Sequence, residues 1–563
     1  MKNLGSYVTG LATLAFFAVF FLWPLARILA GGFVHDGGFT LGFLAEVFRN
    51  PVTVEGLRNS FALAVATTAL VMAITMPLVL LAARYDFPGK TLLTGLVLAP
   101  MVLPPFVGAI GLRQFLGQYG VFNALLVKAN LMTWAEPVDW LAAGRFWAVA
   151  VTEALHLYPI FYLNALAAVS NVDPGMEEAA SNLGASGWHK FRRVTLPLIL
   201  PGLFAGGTIV FIWSFTELGT PLMFDYLRVT PVQVYDGLKD IGASPFPYAL
   251  VTVMLAASVM LYALSKWLFG RGSHAMLGKG AQAAAIRRLS GFRGVALAGS
   301  FLALFLLAAL PHIGVILTSV GGGWYRTVLP VNWTLSHYTD ALGHGLTLGS
   351  IRNSLLFSSV AMAADLALGV AIAYVVVRGT LRWRGLLDAL AMLPLAVPGI
   401  VLAFGYVAMS QPGRLFEFLN PATNPTGLLI VAYAIRRLPY VVRSVSAGLQ
   451  QTSAALEEAA QSVGCPPWRA ILRVTIPLIA ANLIAGGLLA FSFSMLEVSD
   501  SLILAQKEAY YPITKSLFEL FQLLGNGRFI AAALGVWAMA FLVVTILLAN
   551  TLLGRRLGAL FRF

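Results

Sequence analysis

Charge is scarce in this sequence. Only 11% of its 563 residues are Asp, Glu, Lys or Arg, against roughly 25% in an ordinary soluble domain, which excludes a solvated globular chain. Cysteine is nearly missing: Cys465 stands alone, so no internal disulfide can form and no multi-cysteine metal site can be built. The seven histidines are scattered and assemble no metal site that can be assigned. A phosphate-binding loop is also lacking. The nearest approach is Gly89-Lys90-Thr91, where Arg84 occupies the position of the motif's first glycine. No nucleotide site, no bound cofactor and no enzymatic chemistry are expected of this chain itself.

What the sequence has is apolar length. Hydrophobic residues make up 59% of it, in runs such as Val8–Ala30, Phe61–Ala83, Leu92–Leu116, Val295–Ser319, Leu355–Val377 and Phe529–Leu552. Each is long enough to cross a hydrocarbon core of roughly 30 Å. None alternates in the short units of a membrane barrel, so the fold class is an all-α polytopic membrane protein. The first run follows Lys2, exceeds the hydrophobic core of a leader and lacks a small-residue cleavage site; it reads as a retained anchor. The net charge of +13 does not point to nucleic acid. Basic residues bunch in alternate connections, at Arg84/Lys90, Lys190/Arg192/Arg193, Arg271 to Arg293, Arg378/Arg382/Arg384, Arg469/Arg473 and Arg555/Arg556/Arg562. This positive-inside pattern predicts that both termini are cytoplasmic.

The chain is a tandem duplication. Asn59-Ser60 recurs as Asn353-Ser354, and Pro100 and Pro104 recur as Pro394 and Pro398, at an offset of 294 positions. Beyond a longer loop in the first half ("TWAEPVDW") the offset is 280, matching Tyr158-Pro159 with Leu438-Pro439, Pro197 with Pro477, and Glu217 with Glu497. About six spans are predicted per half: near 8–30, 58–84, 92–117, 146–170, 195–220 and 247–269, then 294–319, 353–378, 386–410, 427–449, 475–504 and 529–553. An even number makes the halves parallel repeats. The domain division is 1–270, a basic cytoplasmic linker 271–293, and 294–563.

The most informative repeat is the least greasy. "DPGMEEAASNLGASGWHKFRRVTLPLI" (173–199) returns as "SAALEEAAQSVGCPPWRAILRVTIPLI" (453–479). Asp173 and Ser453 suit helix N-caps, and Pro174 suits a first turn. Glu177/Glu178 and Glu457/Glu458 place negative charge where the helix dipole favours it. Gly184 and Gly464 then end each helix, and a second short helix carries Trp188 or Trp468. The product is a helix–glycine–helix elbow outside the bilayer, made twice on the cytoplasmic side.

Both stretches resemble the EAA loop of binding-protein-dependent ABC importer permeases, with pattern E-A-A-x3-G-x9-I-x-L-P. Glu178-Ala179-Ala180, Gly184, Val194, Leu196 and Pro197 fit in the loop 173–197 with one conservative change, and Glu458-Ala459-Ala460, Gly464, Val474, Ile476 and Pro477 fit in the loop 453–477 with two. The resemblance implies a type I importer fold in fused two-half form. It implies two copies of an ABC ATPase gripped by the elbows, with Glu178 and Glu458 pairing with basic groups on them. ATP and magnesium would be bound by those subunits. It further implies a periplasmic or lipid-anchored solute-binding protein and a bacterial inner membrane. Single-chain permeases with two such loops resemble the ferric-iron group, which puts ferric iron first as substrate. Organophosphonates or phosphate esters, thiamine and polyamines are the alternatives. A secondary transporter driven by an ion gradient would share the hydropathy, but has no ATPase for paired elbows to hold.

Charged groups at membrane depth are costly and so are candidate functional residues. These are Glu153 and His156 near Pro159, Arg436 and Arg437 near Pro439, Glu217, Glu497 and Asp500 toward the outer ends of their spans, and Asp365 inside the eighth. Two readings stand. Arg436, Arg437 and His156 line a cavity for an anionic or anion-complexed substrate, or the arginines pair with Glu153, Glu217, Glu497 or Asp500 to fasten helices or form an external gate.

Overall fold

The computed structural model describes residues 2–35, 37–101, 104–269 and 287–553. In hydrocarbon every backbone polar group must be satisfied within its own segment, and the apolar runs accordingly form helices. In chain order those used below are α1 (Tyr7–Phe33), α2 (Pro51–Arg84), α3 (Lys90–Leu98), α4 (Pro105–Leu116), α5 (Arg145–Ser170), α6 (Pro174–Asn182), α7 (Leu196–Phe215) and α8 (Phe246–Phe269). They continue with α9 (Gly291–Val320), α10 (Gly345–Arg378), α11 (Arg384–Met392), α12 (Gly399–Met409), α13 (Thr426–Gln451), α14 (Ala454–Ser462), α15 (Ala480–Met495) and α16 (Gly527–Leu553).

Among the described residues eight helices are long and apolar enough to span a membrane, and three bent pairs raise the number to eleven. The helix α13 is the repeat of α5, which is one of the eight. Its 26 residues are long enough, but Arg436, Arg437 and Arg443 keep it less apolar than the rest. Three spans expected as single helices are broken. Segment 92–117 bends by 94° and 386–410 by 100°. Pro104 and Pro398 sit at these breaks in extended geometry, ψ 131° and 140°, and a proline has no N–H to continue the helix behind it. The expected span 475–504 bends by 78° where Ile479 leaves helical geometry two residues after Pro477, and Ser499–Leu504 forms a separate short helix.

The chain divides into two compact units, and these do not follow the linear halves. One unit is Val52–Gln233 with Ala256–His337; the other gathers the described residues of Met1–Pro51, Val234–Leu255 and Tyr338–Arg562. The first span of each half therefore belongs to the unit built mainly from the other half. Glycines permit the packing. In the first unit α9 lies on α4 so closely that a Cβ on Gly111 would stand 2.0 Å from the Pro311 carbonyl oxygen. In the second unit α1 lies on α12, where a Cβ on Gly405 would stand 3.0 Å from the Pro24 carbonyl oxygen. Small residues let membrane helices approach backbone to backbone, and the two contacts are repeats of each other, since Gly111 matches Gly405 at the offset of 294. Tyr406 adds a hydrogen bond to the Phe20 carbonyl at 2.7 Å, and Phe301 packs against Phe87, ring centroids 5.1 Å apart, in the first unit's core.

The repeated Asn-Ser pair also has a structural task. Asn59 donates to the Arg228 carbonyl at 2.8 Å and Ser60 accepts from the Thr230 amide at 2.8 Å. In the other unit Asn353 donates to the Ala509 carbonyl at 2.9 Å and Ser354 accepts from the Ile513 amide at 2.7 Å. Each pair pins the segment that follows the fifth span of its half. Of the expected linker 271–293, residues 271–286 lie outside the described residues. Arg287–Arg288 runs parallel to Tyr85–Asp86 at the end of α2.

Candidate functional site

Each elbow is built by local chemistry that the sequence repeats. In the first unit the Asp173 carboxylate caps α6 by accepting from the Gly175 amide at 2.9 Å. The helix ends in a left-handed turn at Gly184, φ +85°, with Ala185 N–H donating to the Ala180 carbonyl at 2.9 Å and Gly184 N–H to the Ser181 carbonyl at 3.0 Å. This pair of bonds is the Schellman closure, which favours glycine because an L side chain is strained there. In the other unit Ser453 caps α14 through the Ala455 amide at 3.3 Å. Gly464 has φ +90°, and Cys465 N–H reaches the Ala460 carbonyl at 3.1 Å. Ala180 and Ala460 thus supply the carbonyls that close the two turns.

Two adjacent glutamates divide the work. Glu178 and Glu458 are exposed, as are Ala179 and Ala459. Glu177 and Glu457 turn back to the protein. Glu177 accepts from Arg84 at 2.6 Å and from the Thr195 hydroxyl at 2.5 Å. Glu457, nearly buried, accepts from the Tyr374 hydroxyl and from Thr475 at 3.1 Å. The α6 helix is thereby tied to the end of α2, and α14 to α10. Both elbows run on through a widened helical turn, Phe191–Thr195 or Ile471–Thr475, into the next span. This fastening was not foreseen from sequence, although the threonines recur at the 280 offset and so were visible as a repeat. Three large apolar side chains point outward from each elbow: Met176, Leu183 and Trp188 on one, Leu456, Val463 and Trp468 on the other. They too correspond pairwise at an offset of 280.

Midway along α13 the second unit holds a compact charge cluster. Arg436 and Arg437 on α13 both donate to Glu497, one to each carboxylate oxygen. Arg436 also reaches Asp500 at 3.3 Å, and Arg437 lies over the Phe493 ring at 5.4 Å and donates to the Phe493 carbonyl at 3.3 Å. Glu497 is held in turn, its carbonyl accepting from Ser501 and Thr514 at 2.5 and 2.7 Å. Gly399 leaves the room that Arg436 occupies; a Cβ there would collide with the guanidinium. The structure thus brings Arg436, Arg437, Glu497 and Asp500 together as pairs.

The equivalent positions in the first unit carry different chemistry. His156 replaces Arg436, and its Nδ1 lies 3.0 Å from the Pro100 carbonyl. Glu217 accepts from the Thr220 amide and hydroxyl at 3.2 and 3.3 Å, and Thr220 stands where Asp500 would be. Glu153, fully buried, accepts from Thr67 at 3.4 Å and from Ser214. Pro159 and Pro439 are buried midway along α5 and α13, each removing one helix hydrogen bond. At the end of α5 away from the elbow, Arg113, Gln118, Asp139, Arg145, Phe224 and Asp225 line a cavity of about 210 Å³. Arg113 pairs there with Asp225 at 3.0 Å.

Residues 73–274 and 365–561 each match the family of binding-protein-dependent transport system inner membrane components. The chain belongs to that family. Both matched stretches include an elbow, and the permease is thus a fused two-half, multi-pass membrane protein. Among curated relatives, the ferric transport system permease protein FbpB of Actinobacillus pleuropneumoniae is 25% identical over 85% of this chain and 69% of its own length. The Fe(3+)-transport system permease protein FbpB 2 of Haemophilus influenzae is 23% identical over 82% and 83%. The molybdenum transport system permease protein ModB of Haemophilus influenzae is 30% identical over 39% of this chain and 94% of its own. A solved bacterial ABC transporter involved in the import of the acidic polysaccharide alginate aligns with 46% of this chain and 97% of its own, at 18% identity and a TM-score of 0.36.

Proposed function

We propose that this permease imports ferric iron through a pathway driven by two separate ATPase subunits, which the elbows at Glu178 and Glu458 engage in the cytoplasm. The observation that carries the reading is the division of labour within each Glu-Glu pair. One glutamate fastens the elbow to its own unit; the next is exposed, on an elbow that carries three exposed apolar side chains, and is left for a partner. Large exposed apolar groups beside a charge are the composition of an interface core and its steering group. Such a surface made twice suits a dimeric motor.

Iron is favoured over the alternatives because permeases named for ferric transport align with more than four-fifths of this chain. The intramembrane cluster supports a gate rather than an anion trap. Arg436 and Arg437 already face Glu497 and Asp500, so little positive charge is left uncompensated for an anionic cargo. A binding protein would arrive at the face opposite the elbows, where the Arg113–Asp225 cavity opens. Proteoliposomes holding the complex, ATP and the binding protein should accumulate radiolabelled ferric iron. Uptake of labelled molybdate in its place would favour a second reading, molybdenum transport, which the alignment with ModB over part of the chain supports.

A further inference from the structure

One charged side chain that nothing above employs is Asp365. It lies in the middle of α10, wholly buried, and neither carboxylate oxygen has a hydrogen-bond partner. A buried carboxylate left in this way is among the costliest arrangements a fold can hold, since burial strips its water without replacement. An unsatisfied buried polar group calls for an explanation, and an ionisable one within a membrane helix is a functional candidate by default.

The helix packing says which group could. α10 and α13 run parallel. At their ends Arg378 donates to the Leu449 carbonyl at 2.9 Å, and farther in, a Cβ on Gly369 would meet Val441 Cγ1 at 2.6 Å. One helical turn earlier on each helix stand Asp365 and Arg437, level with each other and on the faces that make this contact. The Arg437 Nε is buried without a hydrogen-bond partner, while one of its two outer nitrogens is spent on Glu497.

We propose that Asp365 is the second station of the Arg437 guanidinium, occupied in the opposite state of the transport cycle. The charge count favours such an exchange. Here Glu497 holds two guanidinium groups and Asp365 none. When Arg437 crosses to Asp365, Glu497 keeps Arg436, and every step leaves each arginine paired. The exchange also joins the gate to the motor, because α10 carries Tyr374, nine positions on, whose hydroxyl holds Glu457 of the α14 elbow. A pull on that elbow acts on the helix that bears Asp365. The first half has Val71 and Leu157 at the equivalent positions, so the device belongs to one half. Asp365 is a positioning residue in this account, and the inference rests on the ATP-driven reading above.

The test uses the assembled complex with its ATPase and binding protein, trapped with labelled ATP and orthovanadate, so no assumption about cargo enters. Trapping by the unaltered complex reports on the ATP-driven reading alone; the ratio of variant to unaltered reports on the exchange. Asp365→Asn should assemble in normal yield yet trap at least ten-fold less nucleotide. The swapped pair Asp365→Arg with Arg437→Asp should recover more trapping than Arg437→Asp alone, which a merely structural role for Asp365 would not produce. Equal trapping by Asp365→Asn would overturn the proposal. So would a swapped pair that assembles but traps no better than the single Arg437 variant.

Discussion

Thr195 donates its hydroxyl to Glu177 at 2.5 Å, binding the first turn of one elbow helix to the widened turn that leads into the membrane. Thr475 and Glu457 repeat the bond at 3.1 Å in the other unit. Hydrogen bonds to a charged group contribute roughly 1.5–3 kcal/mol when buried, and Glu177 is more exposed than Glu457. Glu457→Ala should therefore lower the thermal stability of the purified permease more than Glu177→Ala. Equal melting temperatures for the two variants would show that these fastenings are not what holds the elbows.

The turns themselves can be tested separately. Gly184 and Gly464 have φ near +85° and +90°, and nothing lies within 4 Å of where a Cβ would stand. Strain alone should decide the outcome of a substitution, at roughly 1–2 kcal/mol for an L residue in that conformation. Gly464→Ala should destabilise by about that amount, and Gly464→Asn by less, in denaturant or thermal unfolding. No loss from alanine would mean the elbow relaxes out of the left-handed turn.

Gly111 faces a harder barrier, because the atoms around its missing Cβ are backbone. Gly111→Ala should displace α9 from α4 and sharply reduce the yield of folded permease in detergent. Gly95→Ala, where nothing lies within 4 Å, serves as the control and should leave yield unchanged. Similar yields for both would contradict the close helix approach.

Membrane helices, the duplication and the two elbows were legible in the sequence because each rests on local chemistry: apolar length, caps, glycine and proline. Glu178 and Glu458 could be chosen over their neighbours only through the motif, since nothing local tells which of two adjacent glutamates turns inward. That choice is made by Arg84, Thr195, Tyr374 and Thr475, two of them, Arg84 and Tyr374, remote in sequence. The exchange of first spans between units was invisible for the same reason. It depends on Gly111 meeting Pro311 and Gly405 meeting Pro24, contacts that span some 200 to 380 positions. The bends at Pro104 and Pro398 were signalled by proline but concealed by unbroken hydropathy. For the arginines, sequence offered Glu153 and Glu217 as partners on equal terms with Glu497 and Asp500; only packing chose between them.

The charge cluster yields an order of severity. Glu497 serves two guanidinium groups, whereas Arg436 keeps Asp500 if Glu497 is not available. Removing one member of a buried pair costs about 3–5 kcal/mol. Glu497→Gln should therefore destabilise the permease more than Arg437→Gln does. The double variant should cost less than both losses combined, because the two side chains share one interaction. Additive losses in thermal unfolding would show that the pair is not coupled.

The central claim is that the elbows are the sockets through which separate ATPases drive this permease, and co-purification tests it most directly. Glu178→Arg combined with Glu458→Arg leaves Glu177 and Glu457 to fasten the elbows, so the permease should be recovered folded and in normal yield. The account predicts that it no longer retains its ATPase partner and no longer supports ATP-driven uptake. An intact complex with undiminished uptake would contradict it.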